Sequence, residues 1–196
     1  MAATIPIVDL NPLVLETARL RLRPYEAADA TAFFTVLDQS RIRLQASFPD
    51  RLRAVPTLAD APTQLASFAH DWHTGRFYVF GIWHRESLTY LGDICLMPQY
   101  GNQAEIGYYL AQAAEGQGYA REALGAIVQF GFEQVQASRL LIRCFADNER
   151  AQQVAQAHGF HLQSRELNPD SRPRFNFNFW SYKPQPSTIL HFVRTR

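Results

Sequence analysis

Midway along the chain an alternating, β-prone segment, Ala104 to Leu110, runs into the hexapeptide Glu115-Gly116-Gln117-Gly118-Tyr119-Ala120. A helical pattern follows over Arg121 to Gln136, with Leu124, Ile127, Val128 and Phe132 on one face, and then a continuous apolar strand from Leu140 to Phe145. This order constrains the fold more than any other feature: a strand, a glycine turn, a helix with one face to cover and a second strand make a crossover within one sheet. Two glycines one residue apart let the main-chain N–H groups of Gln117, Gly118, Tyr119 and Ala120 converge on one point. The head of a helix adds unpaired donors and partial positive charge, so a pyrophosphate fits there without a lysine or arginine in the turn. A tight turn with no ligand is the competing reading of a lone glycine pair. A nucleotide triphosphate loop would need Lys-Ser or Lys-Thr after the glycines, and none is present. A dinucleotide fold would place the turn after an early strand, whereas here it lies past midchain behind an antiparallel meander.

Residues 1–14 read as a loose entry segment, and Leu20 and Leu22 alternate with arginines in a half-buried strand closed by Pro24. Glu26 to Leu37 has helical spacing, 39–62 is proline-interrupted and short-helical or irregular, and Gln64 to Thr74 is a second helix. Phe77 to Trp83 and Tyr90 to Met97 flank the polar 84–89 stretch as a hairpin. Asn148 to His158 is a last helix ended by Gly159, with Phe160 to Glu166 and Phe175 to Tyr182 as closing strands. The fold class is α/β: a mixed, mostly antiparallel sheet of six or seven strands with about four helices. At 196 residues, 47% hydrophobic and 19% charged, the chain is expected to form a single domain over 1–196. Its tail, 184–196, carries Ile189, Leu190, Phe192 and Val193, apolar enough to dock on the domain or on the second subunit of a homodimer.

A net charge of +1 provides no field to gather nucleic acid or an anionic membrane. No apolar run approaches the ~20 residues of a membrane span, and the first residues do not form a secretion signal, so a cytoplasmic location is expected. Cys95 and Cys144 sit in apolar runs as buried thiols, outside any zinc-type array. His70 and His73 share a helix face without a third ligand, so no metal is expected. His158 reads as a helix-end residue favoured by the dipole.

Glu105-Ile106-Gly107-Tyr108-Tyr109-Leu110, the turn from Glu115 to Ala120, Glu122-Ala123-Leu124, Asn148 and Gly159-Phe160 together resemble the GNAT N-acetyltransferases. Thr17-Ala18-Arg19-Leu20-Arg21-Leu22-Arg23-Pro24 is similar in particular to the RimJ/RimL branch, whose members acetylate protein N-termini and, in relatives, small amines. Gly118 and Ala120 match the last two fixed positions of the family's six-residue core, whereas Glu115 stands where arginine or glutamine is usual.

The resemblance implies acetyl-CoA as co-substrate, held by Glu115, Gly116, Gln117, Gly118, Tyr119 and Ala120, with Tyr108, Tyr109 and Leu110 along the pantetheine. It further implies a splay between that strand and the strand from Leu141 to Phe145 that admits the thioester. Asn148 then faces the pantetheine, or serves as a helix N-cap, or both. The acceptor is a primary amine, a protein N-terminal α-amine or a small molecule, attacking directly in a ternary complex. Its pocket is expected from Gln39 to Pro62, Leu96 to Asn102 and Leu167 to Arg174. Glu105 is the candidate general base, with a solvated edge carboxylate as its alternative. Ala151 and Ala155 lack the hydroxyls that relatives use to protonate the leaving thiolate. They leave a second reading open: a catalytically degenerate acyl-CoA-binding module acting as sensor or scaffold.

Overall fold

The computed structural model describes residues 13–167 and 187–196. Strands β1 (Leu15–Glu16) and β2 (Leu20–Arg23) precede helices α1 (Ala30–Gln39), α2 (Arg41–Leu44), α3 (Pro49–Ala54) and α4 (Ala61–His73). Strands β3 (Tyr78–His84), β4 (Tyr90–Gln99) and β5 (Gln103–Leu110) form the meander. Helix α5 (Tyr119–Glu133), strand β6 (Arg139–Phe145), helix α6 (Glu149–Ala157) and strands β7 (His161–Leu167) and β8 (Thr188–Thr195) follow. All eight strands form one sheet in the order β1-β2-β3-β4-β5-β6-β8-β7. Among the described strands only β5 and β6 pair in parallel, as the crossover demands.

The alternation along the strands sorts side chains between two cores. On one face Leu20, Leu22, Phe80, Ile82, Ile94, Leu96 and Ile106 pack with Leu124, Ile127 and Phe130 of α5. On the other, Val79, Trp83, Cys95 and Tyr109 meet Phe33 and Leu37 of α1 and Leu65 and Phe68 of α4. Each fully buried large apolar side chain contributes roughly 1.5–3 kcal/mol, so these two layers carry the stability of the sheet.

The described residues contain eight strands and six α-helices, where six or seven strands and about four helices were expected. The extra pieces leave no periodic signal: β1 spans two residues, and α2 and α3 span four and six within the proline-interrupted stretch. Of the two places expected for the tail, the domain is the one seen, and the contact is closer than docking: Thr188–Thr195 enters the sheet as β8, paired with β6 from Arg139↔Thr195 to Phe145↔Ile189 and with β7 on its other edge. Leu190, Phe192 and Val193 are buried there, so its apolar residues belong to the core. The expected strand over 175–182 and most of the 167–174 pocket segment lie outside the described residues.

Candidate functional site

The hexapeptide forms the head of α5. Gly118 is the N-cap with φ 81°, and Gly116 has φ 75°, both in the left-handed region that favours glycine. Gly116, Gln117 and Gly118 are exposed, and a Cβ placed on Gly116 would meet nothing within 4 Å. Among the described residues no acceptor meets the N–H groups of Gly116, Gln117, Gly118, Tyr119 or Ala120. Donors of a helix head normally need a cap, and here the N-cap offers no side chain to provide one.

Beside this head the sheet opens. Residues of β5 pair with β6 only from Gln103↔Arg139 to Ile106↔Ile142. Past that point β6 continues against β8, while among the described residues Gly107 to Leu110 pair only with β4, which leaves one edge of this segment without a described strand partner. Tyr108, Tyr109 and Leu110 thus lie along the gap. Their side chains divide between the faces: Tyr108 packs on the α5 core with Cys144 and Val154, and Tyr109 on the α1–α4 core. The hydroxyls of both tyrosines are buried without a hydrogen-bond partner among the described residues. Burial raises both phenols above their usual range, so both stay protonated.

Across the gap, on the α1–α4 face, lies a cavity of about 430 Å³ walled by Phe48, Arg51, Phe68, Phe77, Glu105 and Arg143 among others. Glu105 is not a free edge carboxylate: Arg143 donates from Nε to its Oε1 at 2.6 Å, and its side chain is 21% exposed. Arg51 of α3 reaches inward to form a buried ion pair with Asp93 of β4. Tyr25 donates to Asp93 Oδ2 at 3.1 Å and shares a 2.6 Å bond with Tyr90, while the ring of Phe68 lies under the guanidinium at 4.8 Å. Burial raises the Asp93 carboxyl despite Arg51, and Asp93 Oδ1 finds no partner among the described residues. Sequence reading did not find Arg51, because a lone arginine in a short helix carries no pattern. Segments 39–62 and 96–102 do contribute walls, through Phe48, Arg51 and Met97.

Asn148 caps α6, its Oδ1 accepting from Ala151 N at 3.1 Å. The Glu115 carboxylate pairs with Arg43 of α2 and, at 3.3 Å, with Arg150 of α6. Arg19 lies against the other side of the turn, donating to Gln117 O at 2.9 Å and to Glu122 at 2.8 Å, with its guanidinium 4.7 Å from the centre of the Tyr119 ring. The arginine alternation around Leu20 hinted at a strand but not at this contact.

Two smaller readings change. Cys144 is half-buried rather than buried; burial pushes it up to about 11 and Cys95 up to about 12, so both are thiols rather than thiolates. His158 is not a dipole-stabilised cation: burial lowers its pKa, and its Nε2 bonds Arg121 O at 2.7 Å. Among the described residues no group of three His, Cys, Asp or Glu side chains could hold a metal, and no helix is long and apolar enough to cross a membrane.

The open mixed sheet parts between its two parallel strands beside an uncapped helix head, and the family match places this frame among the acyl-group transferases. The family model for the acetyltransferase (GNAT) domain matches residues 19–161. The uncharacterized N-acetyltransferase YoaA of Bacillus subtilis is 28% identical over 152 residues, covering 76% of this chain and 84% of that one. The ribosomal-protein-serine acetyltransferase of Escherichia coli is 38% identical over 60 residues, 31% of this chain and 34% of that one. Among solved structures, RimL, a ribosomal L7/L12 alpha-N-protein acetyltransferase in complex with coenzyme A, superposes with a TM-score of 0.74 at 17% identity, covering 97% of each chain. The chain belongs to the GNAT acetyltransferases, with relatives named for the RimJ/RimL branch, and it is an acetyltransferase.

Proposed function

We propose that this acetyltransferase moves the acetyl group of acetyl-CoA to a primary amine, a protein N-terminal α-amine or a small-molecule amine, by direct attack in a ternary complex. The observation that carries the reading is the set of uncapped main-chain donors at the head of α5, opening beside the gap between β5 and β6. Five N–H groups at a helix head suit a diphosphate. An edge of β5 without a strand partner suits the amides of a pantetheine arm, which would add to it as a strand does. The arm would then deliver its thioester toward the cavity on the other face, and the RimL neighbour binds coenzyme A.

Chemistry at that point asks for alignment, removal of one proton before attack and a second after it, and departure of a thiolate. Glu105 lines the cavity, and Arg143 fixes the orientation of its carboxylate. It takes the ammonium proton directly or through one water, a modest task for an α-amine that titrates near ~8. The nitrogen then attacks the carbonyl, the C–S bond breaks with its electron pair leaving on sulfur, and the second proton of the former amine passes to that thiolate or to water, which leaves a neutral amide and CoA. A thiol of pKa ~8.5 is a tolerable leaving group near neutral pH, so Ala151 and Ala155 do not prevent turnover. The relatives named for ribosomal-protein acetylation favour a protein N-terminus as acceptor, and free thiols accord with a cytoplasmic setting. Free-thiol release from acetyl-CoA, measured across N-terminal peptides and small amines, tests the proposal. Acceptor-dependent release is expected. Tight CoA binding with no release for any acceptor would leave the acyl-CoA-binding module in its place.

A further inference from the structure

Glu115 carries the wrong sign for a residue beside a diphosphate, at the position where the family pattern has arginine or glutamine. Its surroundings reverse that sign. The carboxylate ion-pairs with Arg43, whose Nη2 also donates to Leu110 O at 2.7 Å and to Ser40 Oγ at 3.1 Å. The other carboxylate oxygen holds Nη1 of Arg150 at 3.3 Å, and the Arg150 side chain is 80% exposed. On the far side of the turn, Glu122 plays the same part for Arg19, whose Nη2 lies 3.4 Å from where a Cβ on Gly118 would sit. Three guanidinium groups from separate parts of the chain therefore surround one six-residue turn, against two carboxylates.

We infer that Glu115 is a positioning residue that presents Arg150 to the phosphates of CoA, supplying from α6 the cation that the turn itself lacks. The inference rests on the CoA reading above. The roles of the two paired arginines differ. Arg43, with three acceptors, is a fixed tie between α2 and the end of β5. Arg150, held at one nitrogen and otherwise exposed, keeps donors for a phosphate, to which guanidinium binds with two parallel hydrogen bonds. Loss of Glu115 would release Arg150 without removing its charge.

The test is calorimetric titration of CoA into the full-length wild type, Arg150→Ala and Glu115→Gln over a range of salt concentrations. Arg150→Ala is expected to raise Kd at least fivefold and to flatten the dependence of Kd on salt, because one screened charge pair is gone. Glu115→Gln is expected to give a smaller loss, and the double variant no more than Arg150→Ala alone. A Kd within twofold of wild type for Arg150→Ala, or a rise with unchanged salt dependence, overturns the inference while the CoA reading stands. Absence of CoA binding by the wild type sinks the CoA reading itself. Arg150 is exposed, so its truncation leaves the fold intact, and a thermal melt matching the wild type verifies that.

Discussion

Glu105 meets the cavity with its carboxylate already engaged by Arg143, so its worth as a base depends on where it points as well as on its charge. Glu105→Gln keeps the shape and removes the proton acceptor. A loss of at least ~10-fold in kcat/KM is expected near neutral pH, narrowing as the pH rises and more of the amine is free, which a pH–rate profile resolves. An unchanged profile would remove Glu105 from the mechanism. Glu122 illustrates a carboxylate used for structure. Burial works against its charge, yet the Thr17 hydroxyl at 2.5 Å and the Arg19 N–H and guanidinium at 2.7 and 2.8 Å outweigh it and lower the pKa. A lowered carboxyl pKa gives stability that is present above the ordinary glutamate value of ~4.3 and is lost as the pH falls through the lower folded value. Glu122→Gln should therefore cost about 1–2 kcal/mol at pH 7, and thermal melts should show the gap to wild type closing near pH 3.

At the scale of elements, α3 is too short to hold itself in place, and Arg51 is its anchor. The helix spans Pro49–Ala54, and its one buried side chain reaches Asp93 on β4. Arg51→Met removes one partner of a buried ion pair and leaves the other carboxylate uncompensated, which costs about 3–5 kcal/mol. Denaturant unfolding measures it; a loss below about 1 kcal/mol would mean that aromatic packing, not the ion pair, holds this wall of the cavity. Elements with a period were legible in the sequence: the β3–β4 hairpin, β5 with its glycine turn, and α5 with its apolar stripe. The parting of β5 and β6 has no period of its own: the family resemblance implied a splay, and the pairing that ends at Ile106↔Ile142 locates it. Elements defined by distant partners were not legible. The β8 strand reads as a tail because prolines precede it and its burial depends on β6 and β7, far away in sequence. Arg43, Arg51 and Arg150 are ordinary helix arginines until the fold brings Glu115 and Asp93 to them.

Across the whole molecule, the sheet separates two kinds of chemistry and joins them through one gap. On the α5–α6 side stands the helix head with its unpaired donors and bordering arginines; on the α1–α4 side lies the aromatic cavity with Glu105. In the proposed function the parting of two parallel strands lets a long thin co-substrate reach from one to the other, and β8 pairs with β6 beyond the last β5 contact. Backbone amide NMR during titration tests this arrangement most directly, with CoA in one series and pantetheine, which lacks the phosphates, in the other. The N–H signals of Gly116, Gln117, Gly118, Tyr119 and Ala120 should move with CoA and stay in place with pantetheine. If saturating CoA leaves those five signals where they were, the helix head does not hold the diphosphate, and the assignment of acetyl-CoA to this site is wrong.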